Sequence, residues 1–165
     1  MKRFGARIAV IAGAVVVLDQ VTKLLALDRL APGVPVSVVD GVLALTLVMN
    51  PGLAFGLLGG LPVSWRWMVA LLSLVALLVL LRVAVRVLPT GGWPDQTAIG
   101  LIFGGAVGNL VDRGRFGAVV DFVDAYYGTW HWPAFNVADS AITIGVFFLI
   151  WALMFDTATD PKPGS

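Results

Sequence analysis

Cysteine and glutamate are both missing from this chain of 165 residues, and charge of either sign is scarce, at 13% of positions. Without cysteine there are no disulfides, no thiolate nucleophile, no thiolate metal site and no lipid attached through sulfur, and nothing marks a redox compartment. All ten acidic residues are therefore aspartates, whose short side chains are easily held in one geometry near a helix end. Net charge is +1 and the basic residues are spread along the chain, which leaves no electrostatic footprint for nucleic acid. What is abundant is apolar: 59% of residues are hydrophobic and mean hydropathy is +0.93, outside the usual range of a soluble domain and suited to a bilayer.

Crossing about 30 Å of hydrocarbon takes roughly 20 residues at about 1.5 Å each. Four apolar segments are predicted to do so, at about 8–27, 65–87, 96–111 and 139–155. The first follows Lys2, Arg3 and Arg7 and resembles a signal peptide, but no small-residue cleavage site follows it and Asp19 and Lys23 interrupt it, so it is read as retained. Four spans put both termini on one side. With that side cytoplasmic, six Lys or Arg lie inside and five outside, and the three before the first span set the orientation. Trp65, Trp67, Trp93, Trp130 and Trp132 fall at span ends as an aromatic belt requires.

Between the spans, Val34 to Met49 is rich in Val and Leu around Asp40-Gly41 and ends at Asn50-Pro51-Gly52. It reads as a β-hairpin with a primed turn, part of a small extracytoplasmic sheet at about 34–60. Asp112 to Ala138 reads as an outer loop carrying glycines and aromatics. The polar tail, about 157–165, reads as disordered. The expected fold is a membrane all-α class with a small β component: a single domain, 1–165, built as a four-transmembrane-helix bundle beneath a β cradle.

Depth makes the polar residues converge. Asp139 lies 17 residues from Asp156, and Asp112 the same 17 from Asp95, so both reach about 26 Å along their helices. Asp19 and Lys23, four apart, share a helix face in the outer half of the first span, and Asn109 sits one turn below Asp112. Each has two readings. Asp19 with Lys23 is either an internally satisfied pair holding helices together or part of a site. Asp139, before Ser140-Ala141-Ile142, is either a helix N-cap or a working carboxylate. Asp112 beside Arg113 is either a solvated ion pair or a member of the cluster, and Asp124 is either a loop carboxylate or a site residue. Asp121 is harder to dismiss, because Val119, Val120, Phe122 and Val123 surround it and an ionised carboxylate in hydrocarbon costs about 3 kcal/mol. Glycines 104, 105 and 108 suit close helix packing. His131 is single, and the only partners for a metal are aspartates, so no metal site is expected.

Four motifs then appear in order: Asp19-Gln20-Val21-Thr22-Lys23; Asn50-Pro51-Gly52-Leu53-Ala54-Phe55-Gly56; Gly108-Asn109-Leu110-Val111-Asp112-Arg113 followed by Gly117-Ala118-Val119-Val120-Asp121-Phe122; and Phe135-Asn136-Val137-Ala138-Asp139. With them the chain resembles the lipoprotein signal peptidases, the signal peptidase II family of bacterial inner membranes, over nearly its whole length. The one departure is Leu53, where the family more often has a smaller residue.

The resemblance implies an aspartic endopeptidase that removes signal peptides from diacylglyceryl-modified prolipoproteins by cutting on the N-terminal side of the lipidated cysteine. It makes Asp121 and Asp139 the catalytic pair, supported by Asp19, Lys23, Asn50, Gly52, Asn109, Asp112, Arg113 and Asn136, with no metal or other cofactor. Phe55 and Leu57 would belong to the cradle, and the loop near Trp130 to a lid. The implied setting is the bacterial cytoplasmic membrane, with both termini cytoplasmic, the site near the outer leaflet, lipids around it and a monomeric enzyme. A small proton-coupled carrier is the alternative for intramembrane carboxylates, but carriers gather them at the midplane between paired repeats, whereas here they gather near one surface.

Overall fold

A computed structural model of the chain describes residues 2–52, 66–87 and 92–155. Its order is α1 (Lys2–Arg29), β1 (Val36–Val39), β2 (Leu43–Asn50), α2 (Arg66–Val87), α3 (Trp93–Phe116), β3 (Val119–Tyr127), β4 (Trp130–His131) and α4 (Val137–Phe155). The expectations for Leu53, Phe55, Leu57 and the tail lie outside the described residues.

Helix α3 is the hub, packed most extensively against α4 and α1 and less against α2. Its glycines make this approach feasible. A Cβ on Gly104 would stand 2.8 Å from Val15 Cβ on α1, and one on Gly108 would stand 2.5 Å from Asp19 Oδ2. Polarity is distributed inside out. Val10, Val17, Leu18, Leu25, Phe147, Ile150 and Trp151 are exposed, while Lys23, Asn136, Asp19, Asp112 and Asp121 are among the largest fully buried side chains. Such an apolar exterior suits a lipid solvent. Among the described residues one helix, Gly5–Arg29, is long and apolar enough to cross a membrane, and Trp67–Leu80 and Val137–Trp151 are shorter apolar stretches. Four full spans were expected. Asn109, Asp112, Arg113, Arg115 and a run of glycines lower the hydropathy of α3.

The sheet corrects the expected outer loop. It has four antiparallel strands in the order β1-β2-β3-β4, and the segment after α3 supplies two of them. Gly117 makes the change from helix to strand. At φ 67° it is left-handed, and its N–H donates to the Arg113 carbonyl at 3.0 Å, a helix stop that glycine adopts without a Cβ clash. Strand β3 then pairs with β2 so that Val48 faces Asp121 and Asn50 faces Val119. The β1–β2 connection is also different from expectation. Val39 pairs with Leu43, leaving Asp40, Gly41 and Val42 as a three-residue loop instead of a two-residue primed turn, with a register shift beside it. Phe135 rejoins β3 by exchanging backbone hydrogen bonds with Val123 at 2.9 and 3.0 Å, which delivers the start of α4 to the sheet.

Candidate active site

Helix α4 begins beside β3 with a reciprocal cap. Asn136 Oδ1 accepts the Asp139 N–H at 2.9 Å, and Asp139 Oδ2 accepts the Asn136 N–H at 3.2 Å. This is a capping box with Asn in the N-cap position and Asp at N3. Asp139 is therefore not the N-cap that its sequence position suggested. The arrangement holds its backbone in the first turn and leaves Oδ1 facing Asn109, whose Nδ2 donates to it at 2.8 Å.

Asp121 is held from the other side. Its strand pairing with β2 brings Asn50 near, and Asn50 Nδ2 donates to Asp121 Oδ2 at 3.0 Å while Asn136 Nδ2 donates to Oδ1 at 2.7 Å. Each asparagine has its carbonyl end engaged by an N–H: Asn50 by Gly52, Asn136 by Asp139, and Asn109 by Lys23. All three therefore present donors to the carboxyls. Four carboxylate oxygens accept four hydrogen bonds, which offsets part of the cost of burying them. Burial still wins at Asp121. Loss of water first, and the charge of Asp139 second, push its pKa from 3.8 to about 7 against the pull of the Asn50 and Asn136 bonds.

Both carboxyls line a cavity of about 760 Å³ together with Asn50, Asn109 and Arg113. Its remaining walls are mostly apolar, among them Val119, Pro133, Phe135, Ile142 and Val146, with Trp132 at the β4 side. Trp130, expected in a lid, is exposed on β4. Arg113 Nη2 donates to the Gly52 carbonyl at 2.7 Å, and its buried Nε has no hydrogen-bond partner among the described residues.

Asp19, Lys23 and Asp112 stand behind this cavity. Lys23 Nζ bridges the two aspartates, 2.8 Å from each, with all three groups nearly solvent-free. The expected Asp19–Lys23 pair is thus present, whereas the solvated Asp112–Arg113 pair is not. Asp112 Oδ2 also accepts the Val120 N–H at 3.1 Å, and Asp19 Oδ1 accepts the Ala138 N–H at 2.9 Å. One buried triad therefore fixes both β3 and α4. Asp124 lies on β3 and is not a loop carboxylate; it meets His131 Nδ1 at 2.9 Å, and His131 stacks on Tyr126. No group of three or more metal-type ligands occurs among the described residues.

Gln20 was missed. Its Nε2 donates to Asp112 Oδ1 at 2.9 Å and to the Gly108 carbonyl at 3.3 Å, tying α1 to α3 beside the triad. The overlooked signal is a neutral amide set between Asp19 and Lys23 in the apolar part of α1. A second overlooked signal is rarity, since the chain's only three asparagines are the three in this site.

A family model described as signal peptidase (SPase) II matches residues 11–155. The chain belongs to the signal peptidase II family. It is 44% identical over 161 residues to a lipoprotein signal peptidase of Desulforapulum autotrophicum, covering 93% of this chain and 95% of that protein. With a lipoprotein signal peptidase of Geobacter sulfurreducens it shares 45% identity over 144 residues, 86% of each chain. A solved bacterial membrane enzyme superposes with a TM-score of 0.75 at 34% identity, covering 96% of this chain and 93% of that one. Family membership makes the chain an aspartic peptidase, and so directs attention to the two carboxyls of the cavity.

Proposed function

We propose that Asp121 and Asp139 are the catalytic pair with which this single-domain protein, 1–165, cleaves diacylglyceryl-modified prolipoproteins on the N-terminal side of the lipidated cysteine. The observation that carries the reading is the opening of both carboxyls on one cavity, with Asn136 bonded to each of them. Two buried carboxyls close together do not both ionise cheaply, so the pair holds one proton. Burial raises the pKa of Asp121 to about 7, which favours retention of that proton near neutral pH.

Hydrolysis then needs no further group. The ionised carboxylate takes a proton from water as the water oxygen attacks the scissile carbonyl carbon, while the protonated carboxyl gives its proton to the carbonyl oxygen. The tetrahedral gem-diol returns a hydroxyl proton to the newly ionised carboxylate as the C–N bond breaks, and the departing amine takes the proton of the other carboxyl, which leaves the pair with the single proton it began with. Arg113, with a buried N–H still unspent, and Asn50 are suited to hold backbone carbonyls of an extended substrate. The apolar walls suit a signal peptide and acyl chains. Four spans with both termini cytoplasmic would set the cavity near the outer leaflet, where such a substrate emerges among the membrane lipids, and one copy of the chain supplies every group named.

Purified protein in detergent, incubated with a lipid-modified prolipoprotein peptide, is expected to shorten it. Asp121→Asn and Asp139→Asn are each expected to abolish cleavage while keeping the wild-type elution volume. Near wild-type turnover in either variant removes that residue from the pair.

A further inference from the structure

Lys23 is not among the residues that line the cavity, yet it is bonded to one that does. A lysine ammonium has three hydrogens to donate and no acceptor. Here all three find partners: Asp19 Oδ2 and Asp112 Oδ2 at 2.8 Å each, and Asn109 Oδ1 at 3.0 Å. The third bond has a directional consequence. A side-chain amide can be turned over with almost no change of shape, exchanging its donor end for its acceptor end, and only its partners decide between the two. For Asn109 they decide strongly, because Lys23 and the Asn136 amide at 3.2 Å both donate to the carbonyl end. The NH2 end is left facing Asp139 Oδ1 at 2.8 Å.

We propose that Lys23 is a positioning residue for hydrolysis: it locks the Asn109 amide so that an N–H, and never the carbonyl oxygen, faces Asp139. The proposal rests on Asp139 belonging to the catalytic pair. Turned over, Asn109 would set an oxygen against the carboxyl, remove one of its two donors and repel its ionised form. No neutral residue could enforce the orientation in the same way, since a hydroxyl or amide in place of the ammonium can accept as well as donate.

Two other routes lead from Lys23 toward the site. Asp19 holds the Ala138 N–H of α4, and Asp112 holds the Val120 N–H of β3. Those routes anchor elements, and their loss would be felt whatever stands at position 109. A double-mutant cycle separates them from the amide lock. Lys23→Met, Asn109→Ala and the double variant of the full chain are compared in detergent for kcat and KM on a lipid-modified prolipoprotein peptide, together with thermal midpoints. Lys23→Met is expected to lower kcat about tenfold with KM within about twofold, and to cost less than about twofold once Asn109 is Ala, because the amide it locks is gone. An equal loss in both backgrounds overturns the proposal, and so does a rise in KM with kcat unchanged. Should Lys23→Met fail to fold with two aspartates uncompensated, Lys23→Met/Asp112→Asn removes a cation and an anion together and replaces it in the cycle, compared in both backgrounds with Asp112→Asn alone and read by the same outcomes. The two readings fail separately. Turnover by Asp139→Asn removes the catalytic assignment, whereas a dead Asp139→Asn with an additive cycle removes only the role of Lys23.

Discussion

Asn136 grips Asp121 with its side chain and Asp139 with its main chain: Nδ2 stands 2.7 Å from one carboxyl, and the backbone N–H stands 3.2 Å from the other. The residue that caps α4 is thus also the bridge between the two acids, so the helix start and the spacing of the pair are set together.

Asn136→Ala should therefore show two separable losses. Removal of the cap costs about 1 kcal/mol of stability, and removal of a donor from the carboxyl pair costs about 10²–10³ in kcat. Asn136→Ser, which retains an N-cap oxygen without adding a charge, should recover most of the thermal midpoint without recovering turnover. Recovery of both would mean that Asn136 serves only as a cap.

The rate should fall as pH rises through about 7, where Asp121 loses the proton the pair must retain. Asn50 donates to Asp121 and so favours its ionised form. In Asn50→Ala that help is gone, and the alkaline limb of kcat/KM should move to higher pH. A limb that stays in place or moves to lower pH would contradict the assignment.

Stability should respond in the opposite sense to that of a salt-bridged aspartate. Because the folded pKa of Asp121 is raised from 3.8 to about 7, the folded protein holds more protons than the unfolded chain between those values, so stability declines as pH rises through that window. The part due to Asp121 is fully present below about pH 4 and lost above about 7. Thermal midpoints of Asp121→Asn in detergent, measured from pH 4 to 8, should fall less steeply than those of the wild type; parallel curves would rule this out.

Gly108→Ala tests the packing behind the site. Its Cβ would meet Asp19 Oδ2 at 2.5 Å and Ala138 Cβ at 3.5 Å, pushing on the carboxylate that pairs with Lys23 and holds α4. Overpacking of this kind costs about 1–3 kcal/mol. The thermal midpoint should drop and turnover with it, whereas Gly114→Ala, with nothing within 4 Å, should change the midpoint little.

Helices were legible because lipid demands long apolar runs. α2 begins at Arg66 and α4 at Val137, each within two residues of the expected start. α3 extends well beyond the expected 96–111, to Trp93 and Phe116, and in its final turn Asp112 is bonded to Lys23 and Gln20 and Arg113 to Gly52. β3 was illegible for a related reason. Residues 119–122 are all buried, so the strand lacks the alternation that marks a half-exposed strand and reads as a plain apolar run. The site residues were recognisable from motif order alone; spacing could not choose Asp121 over Asp112 or Asp124. Their surroundings in the fold differ where their sequence contexts do not. Asp112 is spent on Lys23 and Val120, Asp124 on His131, and only Asp121 opens on the cavity with Asp139.

Asp121 meets Asn50 only through the pairing of β2 with β3, strands that lie on either side of α2 and α3 in the chain. A chain whose helices had assembled while those strands remained apart would lack the bond from Asn50 to Asp121. Completion of the cavity wall thus depends on a contact that no pairing of helices supplies, the closure of a sheet whose strands come from distant parts of the chain.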